Sequence, residues 1–480
     1  MPADIASLDA VSLANAIREG AVSPLEAVDA ALARIEAHPG VNPFITVCAE
    51  SARAEALRAS KRLRDAEPPP PLLGVPFSAK DLLLTAGVRT TFGSRLLANQ
   101  VPEEDAVAVA RLKAAGAILI GKTTTPEFGH KAFTDAPLFG RTLNPWDESV
   151  TCGGSSGGAA VAVLLGMGPL ALGTDGGGSI RIPASCCGVV GLKATPGAIP
   201  HLQVPDLFGA NSFVGPMART VAEVQLAFAA LRGPDARDPY GQAVPPPSRE
   251  RPLKGLRIAF LPRAGGPVAA EVAGLTAAAV QQLAALGAVV EEISLDLALL
   301  EPAFLTILES ALAARLASFL PLRRADLDPT LVLSVEKGLT HDAVALQRAQ
   351  AERSAMFRRL QALFERHALL TSPVLTRPAL PLGTDPHGTI EIDGREAGTI
   401  RGAWYPFTFP LNLTGHPALA MPCGFTSGGL PVGLQIAGPW HSEPTILTAA
   451  RALEDSLALP RRPQSIARSA RNQAGVSDAA

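Results

Sequence analysis

The chain is poor in aromatic residues and poor in charge. Phe, Trp and Tyr make up 5% of it, and its only tyrosines are Tyr240 and Tyr405. So few rings argue against a stacking platform for single-stranded nucleic acid. Asp, Glu, Lys and Arg together reach 18%, and 42 basic residues stand against 44 acidic ones for a formal net charge of −2. That balance leaves no electrostatic footprint for nucleic acid or for an anionic membrane. Cysteine is scarce and odd in number: Cys48, Cys152, Cys186, Cys187 and Cys423, with no Cys-x-x-Cys pair. This pattern argues against a disulfide framework or a zinc site and fits reduced thiols in a cytoplasm. No basic segment followed by an apolar run opens the chain, so no signal peptide is expected. The longest apolar run, residues 159–173, is broken by Gly166, Gly168 and Pro169. It is too short to span a bilayer and reads as a buried helix and turn.

What is present is a hydrophobic content of 47% in 480 residues, typical of a globular protein. A chain of this length buries about three-quarters of its unfolded surface and needs no covalent or metal staple. Residues 7–37 carry apolar side chains at helical spacing, punctuated by Gly20 and Pro24, which predicts two short helices. A third helix is expected over 49–65. Short strands are expected at 73–77 and 117–120, with a helix over 105–115 between them. A strand at 256–261, a helix at 268–286 and a strand at 288–295 alternate in the α/β manner. Long helices follow between 302 and 368, then strands at 418–422 and 432–437 and an amphipathic helix at 442–457. The proline-rich stretch 234–252 is a candidate boundary between halves of the fold, and the residues after 461 are expected to fray.

Three motifs compete for the chemistry. Gly116 to Thr123 formally matches a phosphate-binding loop, with Gly121, Lys122 and Thr123 at its end. The intervening Ala117, Ile118, Leu119 and Ile120 predict a buried strand instead, and Pro126 leaves no room for the helix that such a loop needs. Gly153-Gly154-Ser155-Ser156-Gly157 formally matches the nucleophile elbow of a Ser-His-Asp hydrolase, but none of the eight histidines sits where a catalytic base is marked. The third motif is Thr174-Asp175-Gly176-Gly177-Gly178-Ser179-Ile180-Arg181-Ile182-Pro183. Its glycines can aim successive backbone N–H groups into one concavity able to hold an oxyanion. By itself the stretch reads first as a tight glycine turn with a capping serine. Pro183 suits the first turn of a following helix. Glycine costs backbone entropy, so the glycine density between 145 and 200 needs a reason: tight turns, or a close approach to a ligand.

Taken together the segments resemble the amidase signature family. Residues 74–81 (GVPFSAKD), 121–128 (GKTTTPEF), 151–160 (TCGGSSGGAA), 172–183 (LGTDGGGSIRIP), 188–195 (GVVGLKAT), 215–221 (GPMARTV), 412–424 (NLTGHPALAMPCG) and 429–437 (GLPVGLQIA) match in order. The resemblance implies an α/β fold: a single large domain with a central mixed twisted β-sheet covered on both faces by helices. Residues 1–65 would form an N-terminal helical segment on a core of 66–465, and 466–480 a polar C-terminal tail. It implies Ser179 as nucleophile, Ser155 as bridging serine after a cis Gly154–Ser155 bond, and Lys80 as base. It implies the backbone amides of Gly176, Gly177, Gly178 and Ser179 as oxyanion donors and Gly129 as a substrate-lining position. Asp175 and Arg181 are expected to orient the loop. Ala194 and the Thr151-Cys152 pair depart from positions where the family often has proline; neither bears on a catalytic atom.

Amide hydrolysis through a serine needs a base, an oxyanion site and a proton for the departing nitrogen. Lysine serves as base only when neutral, so its ordinary pKa of about 10.4 must fall, as burial can make it do. Pro76, Phe77, Leu82 and Leu83 around Lys80 fit burial; a surface lysine paired with Asp81 is the alternative. The expected activity is hydrolysis of an amide, anilide or carbamate through an acyl-enzyme. The partners expected are a small-molecule amide or carbamate, with no nucleic acid, no membrane span and no cofactor or metal, on a monomer or homodimer. Trp404, Tyr405 and Phe407 are candidates for the pocket wall and equally for the core. The alternative is the A subunit of a glutaminase-type amidotransferase, which carries a tyrosine-rich later half where this chain has only Tyr405. A non-catalytic binding protein on the same fold is a third reading, opposed by the presence of Lys80, Ser155 and Ser179.

Overall fold

Short β-branched and apolar runs set between helices pair into one sheet. The computed structural model describes residues 4–65, 68–209, 211–241 and 252–460. Eleven strands make the sheet: β1 (Phe44–Val47), β2 (Pro76–Lys80), β3 (Ile118–Thr123), β4 (Leu170–Asp175), β5 (Val190–Lys193), β6 (Phe213–Ala218), β7 (Arg257–Phe260), β8 (Val289–Glu292), β9 (Leu369–Pro373), β10 (Ala418–Phe425) and β11 (Pro431–Ala437). Their spatial order is β1-β3-β2-β4-β6-β5-β10-β11-β9-β7-β8. Strand β2 runs parallel to β3 and β4, and β7 runs parallel to β8 and β9. The pairings between these two flanks are antiparallel. The sheet is thus mixed and flanked by helices. Strands β2, β3 and β4 are buried along their whole length, as parallel strands covered on both faces must be. The edge strand β8 instead exposes Glu291 and Glu292, charges that discourage pairing with another chain.

The helices expected near the N-terminus are Ala10–Arg18 and Pro24–Ala37. Ser23 and Glu26 cap the second reciprocally, which satisfies two backbone donors that a helix end leaves unpaired. Strand β1 lies between these helices and Ala49–Asp65 and was not expected: it is four residues long and carries no alternation. The run 159–173 is more than a helix and turn. The helix Gly157–Leu165 ends at Gly166 in the left-handed conformation, φ 76°, and the chain re-enters the core as β4. Helix and strand are both apolar on every side here, so periodicity cannot separate them.

A second stretch carries more apolar character than the sequence reading assigned. Ala298–Asp326 is long and apolar enough to cross a membrane by length and composition; Glu309 and Arg315 hide it from a search for uninterrupted runs. In the fold it is broken into short pieces, and its central helix Glu301–Leu316 buries Phe304, Ile307, Glu309 and Leu312 against the protein. Residues 118–123 form strand β3, as the spacing predicts, and not a phosphate loop. Lys122 there is buried, with Nζ donating to the Leu83 carbonyl at 2.6 Å and to Thr90 Oγ1 at 2.7 Å. All five cysteines are unpaired. The expected tail 466–480 and residues 242–251 of the proline-rich connection lie outside the described residues.

Candidate active site

Lys80 is the last residue of β2, at the carboxyl end of a parallel strand, where α/β sheets place their ligands. Side chains alternate between the faces of a strand. Register pairs Ala79 with Lys122 and Lys80 with Thr123, so Lys80 and Lys122 point to opposite faces. Asp81 therefore leaves Lys80 and turns toward Lys122, 3.8 Å from its Nζ. This rules out the surface pair of Lys80 with Asp81. Lys80 has no exposed surface. Its Nζ donates to Ser155 Oγ at 2.6 Å, to Ser156 Oγ at 2.9 Å and to the Thr174 carbonyl at 3.4 Å. Burial pushes the amine well below the usual lysine range, and the charge of Asp175 only partly opposes it.

The two serines sit on the turn that enters helix Gly157–Leu165, and the Gly154–Ser155 peptide bond is cis. Glycine is required on both sides of them by packing. A Cβ on Gly154 would lie 2.6 Å from the Phe133 amide nitrogen, and one on Gly157 would lie 2.3 Å from Thr134 Oγ1. The glycine density thus reflects close approach of backbone to protein as well as turns. Ser156 links three segments: its N–H donates to the Ser179 carbonyl at 3.0 Å, and its hydroxyl donates to the Thr174 carbonyl at 3.1 Å while receiving from Lys80.

Strand β4 delivers the glycine loop and Ser179. Asp175 closes the strand and organises the loop beyond it. Its carboxylate accepts from Gly178 N at 2.6 Å, Ile180 N at 3.2 Å and Arg181 Nε at 2.9 Å. Burial alone would raise this carboxyl; Arg181 reverses the effect by charge and hydrogen bond, Asn412 assists, and the group stays well below the usual carboxylate range. Arg181 is completed by Gln435 Oε1 at 2.7 Å and Asn412 Oδ1 at 2.5 Å. The loop carbonyls are tied as well: Asn211 Nδ2 donates to Gly176 O at 3.2 Å and Thr408 Oγ1 to Gly177 O at 2.8 Å. Gly178 adopts φ +124°, and a Cβ there would lie 2.4 Å from Thr408 Oγ1. Its N–H is committed to Asp175, so the expected donor set narrows to Gly176, Gly177 and Ser179, whose amides make no hydrogen bond among the described residues. Ser179 is half-buried, whereas Ser155 is buried. No hydrogen bond joins the Ser155 and Ser179 hydroxyls, and no histidine bonds to either, among the described residues.

Gly129 comes to the same place from a third direction. It holds φ +71°, and a Cβ on it would stand 3.3 Å from Ser155 Oγ and 2.8 Å from Leu82 Cδ1. Trp404 and Phe407 are fully buried and Tyr405 nearly so. Trp404 stacks on Phe133 at 5.8 Å, and its indole N–H donates to the Arg377 carbonyl at 3.2 Å.

The family model for Amidase matches residues 26–447. The chain belongs to the amidase signature family. Across 92% of its length it is 37% identical to the A subunit of glutamyl-tRNA(Gln) amidotransferase from Roseiflexus sp. (strain RS-1), covering 94% of that protein. It is 34% identical to an acylamidase of Rhodococcus erythropolis, over 93% of this chain and 95% of that one. A solved bacterial aryl acylamidase of the amidase signature family superposes with a TM-score of 0.87 at 28% identity, covering 94% of this chain and 96% of the other. These likenesses support an amide-hydrolysing enzyme of amidase fold.

Within this family member the structure brings Lys80, Ser155 and Gly129 into one cluster and ties Ser179 to it through Ser156. Sequence reasoning missed Ser156, Asn211, Thr408, Asn412 and Gln435. Only Ser156 carried a local signal, as the second hydroxyl of Gly-Gly-Ser-Ser-Gly-Gly. The others stand up to 254 residues from the groups they bind; Asn412 and Gln435 fall in segments that match the family, but no local pattern assigns them a partner.

Proposed function

We propose that this chain is a serine amidohydrolase that cleaves a carbon–nitrogen bond of an amide, anilide or carbamate through an acyl-enzyme on Ser179. The observation that carries this reading is the Lys80 amine, fully buried and 2.6 Å from Ser155 Oγ, with no carboxylate bonded to it among the described residues. An ammonium there would have no bonded carboxylate, and the charge of Asp175 offsets its burial only in part. In the neutral amine, which keeps two hydrogens, the contact to Ser155 reverses: Ser155 Oγ–H donates to the Nζ lone pair and gives up its proton there, and Ser155 in turn accepts from Ser179, since a hydroxyl both donates and accepts. Catalytic hydrogen bonds commonly tighten only once substrate is bound. Ser179 Oγ attacks the carbonyl carbon, and the amides of Gly176, Gly177 and Ser179 receive the oxyanion. The proton on Lys80 returns through Ser155 to the leaving nitrogen, and the amine departs. Water then attacks the acyl-enzyme by the same relay and releases the acid.

A fluorophosphonate probe with peptide mapping tests the assignment. The expected adduct lies on Ser179, disappears in Ser179→Ala and forms far more slowly in Lys80→Met. Folded protein that takes no label, or takes it elsewhere, overturns the reading. A panel of anilides, aliphatic amides and carbamates then ranks the substrates. The identity to the A subunit of an amidotransferase supports a second reading, release of ammonia from glutamine for a partner. Turnover restricted to glutamine, with partner subunits co-purifying, would favour it.

A further inference from the structure

One cation beside the site takes no part in the proton relay. Arg401 lies in a single π-helical turn, Ile400–Trp404, capped by Thr399, whose Oγ1 accepts from Gly402 N at 3.1 Å. Such turns recur at functional sites. The Arg401 side chain is half-buried. Its one hydrogen bond among the described residues runs from Nη1 to Tyr405 Oη at 3.1 Å, and it forms no ion pair among them. Neither nearby acid bonds to it among the described residues: Glu301 accepts from Thr399 Oγ1 at 2.5 Å and keeps its charge, and Asp328 accepts from Lys131 Nζ at 2.7 Å. The partner of Arg401, Tyr405, adjoins the site. Tyr405 is joined to the glycine loop by Thr408 Oγ1, which donates to Tyr405 O at 3.0 Å and to Gly177 O at 2.8 Å. His130, whose buried imidazole feels the charge of Arg401, directly follows Gly129, the residue packed on Ser155.

A half-buried guanidinium without a counter-ion is costly unless an anion arrives. Its planar fork matches a carboxylate. The Tyr405 hydroxyl accepts from Arg401, so its own proton is free to donate to the same guest. We propose that Arg401 is a specificity-determining residue that receives a carboxylate carried by the substrate away from the scissile amide, with Tyr405 as second donor. The favoured substrates are then half-amides and half-anilides of short dicarboxylic acids. This rests on the serine amidohydrolase reading above and names its substrate class.

The test compares N-(4-nitrophenyl)succinamate with the neutral 4-nitrobutyranilide in the full-length chain. The wild type is expected to prefer the acid, mainly through KM. The ratio of the two kcat/KM values is expected to fall about 100-fold in Arg401→Gln, to recover in part in Arg401→Lys, and to fall less in Tyr405→Phe. Equal kcat/KM for both substrates, or an unchanged ratio in Arg401→Gln, overturns the proposal while leaving the amidohydrolase reading intact. If neither anilide is turned over, the amidohydrolase reading is decided by the serine probe, and folded protein without an adduct on Ser179 overturns it. Calorimetry of the succinamate on Ser179→Ala then still decides: affinity lost on adding Arg401→Gln supports the subsite, and absent or unchanged binding overturns it.

Discussion

Lys80 and Lys122 end neighbouring parallel strands, and neither has any exposed surface, yet their surroundings fit them for opposite work. Lys122 is opposed by the Asp81 carboxylate at 3.8 Å and held by a carbonyl and a hydroxyl; burial lowers it, Asp81 resists, and it settles at about 8. Lys80 meets two serine hydroxyls and a carbonyl, with no carboxylate in contact, and burial pushes it well below the usual lysine range. Burial acts on both. What separates a structural cation from the proposed base is the partner each face of the sheet supplies: an acid that keeps the proton on one side, hydroxyls able to exchange it on the other.

The largest effect separating them is on turnover. Lys80→Met and Ser179→Ala are each expected to lower kcat/KM roughly 10,000-fold, with thermal unfolding near that of the wild type. Full turnover in Lys80→Met would erase the distinction. Lys122→Met is expected to do the reverse: it strands Asp81, itself buried and raised by that burial, and should cost about 3 kcal/mol in denaturant unfolding. Adding Asp81→Asn should recover part of the loss. A double variant no more stable than Lys122→Met alone would break the pair.

The pH profile sharpens the contrast. In the proposed mechanism the neutral form of Lys80 is the active one, and burial holds its pKa well below the ordinary 10.5. As pH falls through that lowered value the amine takes a proton, and kcat/KM should drop about tenfold per pH unit, with a plateau above. If Lys122 were the base, the limb would sit near 8 and vanish in Lys122→Met; the expectation is that it stays where it is in that variant. The smallest effect concerns Ser156. Ser156→Ala removes one hydrogen bond to Lys80 and should lower kcat about fivefold, read against labelling of Ser179 by the serine probe.

The motifs around Lys80, Ser155 and Ser179 were legible because each is local: a short strand ending in lysine, serines between glycines, three glycines before a serine. The strands at 256–261, 418–422 and 432–437 were legible from their apolar runs and turn residues, to within a few residues of their observed ends. Strand β1 and strand β4 were not. One is too short to show a period, and the other lies in a stretch buried on all sides.

The amino-acid order alone determined which residues are candidates for the proposed chemistry, because their types and spacing are local properties of the chain. It also determined that Asp81 cannot share a face with Lys80 once a strand forms, since adjacent side chains on a strand point apart. Tertiary structure decided that Lys122 would answer Asp81, that Asn412 and Gln435 would hold Arg181, and that Gly178 would spend its amide on Asp175. The physical reason is distance along the chain: a buried charge must find its partner wherever packing brings one, and most of these partners come from other strands and loops.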